Sequence, residues 1–315
     1  MIGMNVIVVH GGAGYLNPRI ADERVSVIRN AVSKGYNILS NGGSSLDAVV
    51  ESVSILEDSG FFNAGRGSVY TVDSMLEFDA AIMHSKYGYA AIGAVPNIKN
   101  PIKLARELLK DKIHRFLVGY GAREYAIAKG FKPYDITELT FYRYIDEYLE
   151  RIKKRGGYGI KLLEAFKHLF KSETVGAVAL DSDGYLASAV STGGIFLKFH
   201  GRVGDSAIKG AGLYADNFVA ASATGIGEYI IDLMLTERIA SYRRRYNLYS
   251  ACKLAFRDLE SRYGIDNAGV IAVDKLGYIA WFHNTMHMPI GYLYDGLDKP
   301  IVFTSGSGYA KARRI

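Results

Sequence analysis

The strongest constraint on the fold is an abrupt change of texture at position 174. A long, charged, helix-patterned segment ends there. Thr174 then opens the strand-type run 175–180, which leads through Asp181-Ser182-Asp183-Gly184 into a second run, 186–190. A turn signal between two such runs predicts a hairpin. Residues 270–273 and 278–282 repeat the design around Asp274-Lys275-Leu276-Gly277. Near the start, residues 5–10 form a short apolar run stopped by Gly11-Gly12-Ala13-Gly14, the pattern of a buried strand. Residues 69–72 and 76–83 read as a further hairpin, after a loop over 61–68. Helical spacing covers 20–40, 102–109, 121–129, 227–242 and 249–261. A helix opened by Ser44-Ser45 carries Leu46, Val49, Val50, Val53 and Leu56 along one face. Strand pairs segregated from helices predict an α+β fold with layered sheets and helices outside. Residues 141–173 stand apart. A charged, aromatic stretch and a glycine break precede Leu162, Phe166, Leu169 and Phe170, spaced as an amphipathic helix. This segment reads as an inserted connector.

Composition narrows the class. The 315 residues are 49% hydrophobic, enough for one large or two ordinary domains. The net charge is +6, but the basic residues are scattered. The run Arg243-Arg244-Arg245 reads as a solvated helix face. Without an aromatic-interleaved basic stripe or zinc-type spacing, nothing points to nucleic acid. Cys252 is the only cysteine, which excludes intrachain disulfides and suits a small core residue. The start has no signal-peptide layout, and no apolar run approaches ~20 residues. The expectation is a cytoplasmic protein with no membrane span. Glutamine is absent and tyrosine numbers 23, which fits a thermophilic source.

The chemistry concentrates around threonines and glycines. A threonine hydroxyl needs a base beside it, and its own α-amine, with a reference pKa of roughly 7.7–8.0, is suited to that task. That amine exists only if the chain is cut before Thr174. The central expectation is therefore a self-cleaving precursor whose new N-terminus is the catalyst. Gly201-Arg202-Val203-Gly204-Asp205 places opposite charges three residues apart in a glycine-rich turn, able to hold a zwitterion. His10-Gly11-Gly12-Ala13-Gly14 fits neither phosphate-loop spacing nor Gly-x-Gly-x-x-Gly, and reads as a tight turn allowing close backbone approach. Taken singly, Thr174 passes for a strand residue, and Thr192 and Thr224, each before a glycine, for turn residues.

Together these segments match one family in order along the chain. They include His10-Gly11-Gly12-Ala13-Gly14, Phe62-Asn63-Ala64-Gly65-Arg66-Gly67-Ser68, Phe78-Asp79-Ala80-Ala81-Ile82-Met83, Thr174-Val175-Gly176-Ala177-Val178-Ala179, Ser191-Thr192-Gly193-Gly194, Gly201-Arg202-Val203-Gly204-Asp205-Ser206 and Ala223-Thr224-Gly225-Ile226-Gly227-Glu228. The chain resembles the plant-type L-asparaginases, or isoaspartyl aminopeptidases, of the N-terminal-nucleophile hydrolases. The resemblance implies a four-layer αββα sandwich, one domain over 1–315. It would be cut into an α-subunit, 1–173, and a β-subunit, 174–315, and would form a homodimer of αβ units. It implies hydrolysis of L-asparagine and β-aspartyl dipeptides, with Thr174 as nucleophile and Thr192 supporting it. Arg202 would clamp the substrate α-carboxylate and Asp205 its α-ammonium. Thr224 and the N–H of Gly225 would form the oxyanion hole, and Asn63 would lie in a loop beside the nucleophile. No cofactor is expected in catalysis. A structural sodium ion would be held by main-chain carbonyls of Leu56, Glu57, Ser59, Phe62, Ala64 and Arg66.

Three positions depart from the family pattern. Glu173 stands where glycine usually precedes the nucleophile, so a carboxylate adjoins the scissile bond and either promotes, slows or pH-gates the cut. His84 and His287 replace other residues and read as core or solvated histidines. The alternatives are a glycosylasparaginase, a threonine aspartase, a precursor stalled by Glu173, or a non-processing nucleotide-binding α/β protein.

Overall fold

The apolar run at the N-terminus becomes strand β1 (Val6–His10), buried along its whole length. It is inserted between two antiparallel neighbours, β5 (Val175–Leu180) and β11 (Ile290–Tyr294). A strand covered on both faces has no polar face to present, which accounts for its unbroken apolar sequence. The computed structural model describes residues 3–14, 16, 18–73, 75–134 and 174–312. The connector at 141–173, with Glu173, lies outside them.

The expected hairpin after position 174 is present as β5 and β6 (Leu186–Thr192). Strand β6 pairs in turn with β2 (Glu77–His84), and β2 with β3 (Gly88–Pro96). The short β4 (Phe116–Val118) joins β3 in parallel, and β12 (Ile301–Phe303) closes the other edge on β11. The order is β12-β11-β1-β5-β6-β2-β3-β4. A second sheet has five antiparallel strands: β7 (Leu213–Ala215), β8 (Val219–Gly225), β9 (Ala268–Asp274), β10 (Tyr278–His283) and β13 (Gly308–Lys311), ordered β13-β10-β9-β8-β7.

Alternation along the strands sorts side chains among three buried clusters. Ile7 and Val9 of β1 join Ile28 of α1 (Ala21–Ser40), Leu56 of α2 (Ser45–Ser59), Leu108 of α3 (Pro101–Asp111) and Ala122 of α4 (Gly119–Ala128). Val6 and Val8 point the other way, into a cluster with Val178, Val190, Ile271 and Val273 that lies between the sheets. Val270 and Ala272 of β9 face a third cluster with Ile230 of α5 (Gly227–Leu233), Ile239 of α6 (Leu235–Arg243) and Phe256 of α7 (Leu248–Tyr263). Period-two alternation thus directs successive residues to opposite layers. The mixed α+β class is as expected.

Several local expectations are corrected. Residues 69–72 form no strand; Thr71 makes only an isolated bridge to Lys198. The partner of β2 is β3, whose sequence GYAAIGAVP is rich in small residues and weak in strand propensity. Strand β8 (VAASATG) is obscured for the same reason. The helix expected over 227–242 is two helices, because Met234 takes a left-handed conformation, φ 51°. Arg243 does not belong to a solvated face, since its guanidinium donates to the buried carboxylate of Asp274. No described helix is long and apolar enough to cross a membrane.

Candidate active site

The β5–β6 register opposes Val175 to Ser191, so one step further it brings Thr174 beside Thr192. Both threonines are buried, Thr174 being 1% exposed. Thr192 Oγ1 accepts the Gly194 N–H at 3.0 Å, which turns the chain sharply at the strand end. Asn63 locks this turn from the other side. Its Nδ2 donates to Gly194 O at 2.6 Å, its Oδ1 accepts from Val69 N at 3.0 Å, and its carbonyl accepts from Gly193 N at 3.0 Å. The expected loop asparagine therefore fixes the turn that carries Thr192.

Two groups without an assigned role in the sequence, His10 and Ser222, hold the strand that Thr174 opens. His10 ends β1 opposite Gly176, and its ring is fully buried. Its Nδ1 accepts from Gly12 N at 3.3 Å, so Nε2 carries the hydrogen and donates to Ser222 Oγ at 2.8 Å. The ring also bonds the backbone of Thr174. Burial pushes its pKa down to about 3, so the imidazole is neutral throughout the working range. Gly176 is required here: a Cβ would lie 2.0 Å from Ser222 Oγ and 2.4 Å from His10 Nε2.

Ser222 and Thr224 are two apart in β8 and share one face of the second sheet. Thr224 Oγ1 accepts the Ala13 N–H at 3.3 Å, so the Gly11–Gly14 turn lands on the threonine expected in the oxyanion hole. The turn is held in place from behind by reciprocal backbone bonds between Gly14 and His287, at 2.9 and 3.0 Å. Gly225 has φ 142°, and a Cβ there would meet Asn267 O at 2.2 Å. A side chain is excluded there by both the positive φ and the close approach of the Asn267 carbonyl.

Gly227, opening α5 just beyond, is where the two charged residues converge. An added Cβ would lie 2.8 Å from both Arg202 Nη2 and Asp205 Oδ1. Arg202 donates from Nε and Nη2 to Glu228 Oε1 at 3.1 and 2.8 Å. Asp205 is 3% exposed, and its Oδ2 has no hydrogen-bond partner among the described residues. Burial raises its carboxyl pKa to about 7, against the lowering influence of Arg202. A buried carboxylate oxygen without a donor, beside a guanidinium, is a matched receptor for an α-ammonium and an α-carboxylate.

The segment from Leu56 to Arg66 spans the C-terminal end of α2 and the tight loop that follows it. Gly60 closes that helix with φ 75°. The Glu57 carbonyl lies 2.8 Å from where a Gly65 Cβ would be, and the Phe62 carbonyl 2.1 Å from a Gly67 Cβ. The Glu57 side chain has a separate role: it accepts from Ile102 N at 3.0 Å and Asn100 Nδ2 at 3.3 Å, capping α3, and burial pushes its pKa up to about 8. A cavity of about 400 Å³ lined by Asp58, Arg66, Lys99 and Tyr134 adjoins this loop, not the threonines.

His84 is a core residue, stacked on Tyr87 with Nδ1 accepting from Lys86 N and Tyr87 N. Cys252 is fully buried, and burial lifts its thiol pKa to about 12.

The chain matches the family model described as Asparaginase over residues 3–301. A plant-type L-asparaginase of Pyrococcus furiosus is 38% identical over 308 residues, spanning 94% of this chain and 99% of that protein. One from Pyrococcus horikoshii is 40% identical over 306 residues, with the same coverage. An isoaspartyl peptidase/L-asparaginase of Xenopus laevis is 39% identical over 275 residues, covering 86% of each chain.

Proposed function

The chain belongs to the asparaginase family, and on that premise we propose that Thr174 is the nucleophile of an enzyme activated by its own cleavage. The protein is a hydrolase of the side-chain amides of L-asparagine and isoaspartyl peptides. The observation that carries the site assignment is the convergence of Arg202 and Asp205 on Gly227, next to Thr224 and Gly225. Both substrate types present the same aspartyl head, with one α-ammonium and one α-carboxylate for these two groups.

In this reading the Thr174 hydroxyl, deprotonated by its own α-amine, attacks the side-chain carbonyl. The Thr224 hydroxyl and the Gly225 N–H stabilise the developing oxyanion. Collapse expels ammonia or an amino-terminal peptide amine, which takes up the proton. Water then hydrolyses the β-aspartyl ester and releases L-aspartate. Neutral, buried His10 orients the Thr174 backbone and is too weakly basic to compete as the base.

The two sheets, with a buried cluster between them and a helix-bearing cluster on each outer side, support the four-layer αββα sandwich of the N-terminal-nucleophile hydrolases. The division into α-subunit 1–173 and β-subunit 174–315, the homodimer and a cytoplasmic setting belong to the same reading. So does a sodium ion on the carbonyls of Leu56, Glu57, Ser59, Phe62, Ala64 and Arg66.

The test is N-terminal sequencing of the purified protein after incubation, alongside assays of aspartate release. The expected result is a new N-terminus at Thr174 and activity that rises with the cut. An uncut chain with full activity, or a cut elsewhere, overturns the assignment. Glu173→Gln and Glu173→Gly, followed from acid to neutral pH, show whether that carboxylate governs the cut.

A further inference from the structure

We propose that Asp79, with Glu77 beside it on β2, is the positioning residue that presents the Arg202–Asp205 clamp to the nucleophile. The proposal rests on the clamp assignment above. Asp79 is 0% exposed and stands opposite Thr192 in the β2–β6 register. Its Oδ2 accepts from Gly204 N and its Oδ1 from Ala94 N, each at 2.8 Å. Gly204 lies between the two clamp residues, and a Cβ on it would lie 2.7 Å from Arg202 Nη1. The guanidinium therefore packs on the very peptide that Asp79 holds. One carboxylate thus spans the turn that binds the aspartyl head and the strand end that carries Thr192.

Glu77 fixes the other end of the same turn. Its Oε2 accepts from Gly201 N at 2.9 Å, and its Oε1 pairs with His200 Nδ1. Lys198, almost fully buried, donates from Nζ to the Glu77 carbonyl at 3.0 Å and supplies a nearby positive charge for both carboxylates. The anchors lie on the only described strand paired with β6 on the side away from β5. The backbone around Asp79 is built for this reach. The β2–β3 register slips between Phe78 and Ala80, and Ala94, whose N–H Asp79 accepts, has φ 45°. A bulge of this kind re-aims a side chain out of the ordinary pleat. Among the described residues, the hydrogen bonds of both carboxylates go to the clamp turn and its neighbours and not to Thr174, so both act through the clamp.

The distinguishing measurement compares L-asparagine with two analogues, succinamate, which lacks the α-amine, and 3-aminopropanamide, which lacks the α-carboxylate. Asp79→Asn keeps the shape but leaves one backbone N–H facing an amide NH2. A lost hydrogen bond to a charged group corresponds to roughly 10- to 100-fold. The expected result is a rise of that order in KM for L-asparagine with a smaller change in kcat. The preference for L-asparagine over both analogues should shrink in proportion, while Thr174 is still exposed by cleavage. Glu77→Gln, at the other anchor, should show the same selectivity loss and decides the matter if Asp79→Asn does not fold. Equal proportional losses for all three substrates, or a fall in kcat at constant KM, overturn the proposal. A wild type that does not hydrolyse L-asparagine would instead remove the clamp reading beneath it.

Discussion

Arg202 donates from both Nε and Nη2 to a single oxygen of Glu228, at 3.1 and 2.8 Å. The guanidinium edge that would grip a substrate carboxylate is thus partly engaged by a half-exposed acidic side chain. An ion pair with an exposed partner contributes about 0–1 kcal/mol, so a substrate carboxylate can displace it readily. Glu228→Gln weakens this competitor and should lower KM for L-asparagine by up to about fivefold. Arg202→Ala removes the clamp itself and should lower kcat/KM by the equivalent of roughly 2–5 kcal/mol while leaving cleavage before Thr174 intact. Steady-state kinetics of the two variants separates the roles.

Asp205 gives the clamp a pH dependence. Burial raises its pKa to about 7, and only its ionised form attracts an α-ammonium. KM for L-asparagine should rise as pH falls below about 7, and a substrate lacking the α-amine should not follow that limb. The stability effect has the opposite sense. The folded state holds this proton more tightly than the unfolded chain, whose pKa is near 3.8. The contribution is therefore complete below about pH 4 and is lost as pH rises through about 7. Asp205→Asn should raise Tm at pH 8 more than at pH 4, measured by thermal melts at both.

Thr224→Val keeps the shape of the side chain and removes its hydroxyl. Loss of one oxyanion donor typically costs about 10²–10³ in kcat. The expected variant has a kcat reduced on that scale and a much smaller change in KM. A change confined to KM would assign Thr224 to ground-state binding.

Gly176→Ala tests the support beneath Thr174, the proposed nucleophile. Its new methyl has no room between Ser222 Oγ and His10 Nε2. Overpacking of this kind costs about 1–3 kcal/mol. The variant should melt earlier and mature more slowly than wild type, because the same displacement moves the His10 ring off the Thr174 backbone. Denaturing gels over time report the maturation, and differential scanning calorimetry the melting. A variant that melts and matures like wild type would show that His10 does not hold Thr174 in place.

The sequence by itself determined the hairpin after Thr174, the strand at Val6–His10 and the first helices, and it singled out the threonines, arginine and aspartate proposed for the site. Each is announced locally, by an apolar run, a turn signal or a short motif whose residue types limit the chemistry. Tertiary structure decided what those residues touch. Nothing near Thr192 in sequence announces that Asn63 fixes its turn from 129 positions away. The Gly11–Gly14 segment reads from sequence only as a tight turn, and the fold alone shows that its Ala13 N–H reaches Thr224 on the other sheet. Strands β3 and β8 escaped because alanine, serine and glycine give little strand signal, although close packing between layers requires such small side chains. The pKa values of His10 and Asp205 were likewise beyond the sequence. Desolvation depends on which distant segments cover a group, and only the assembled sheets exclude water from both.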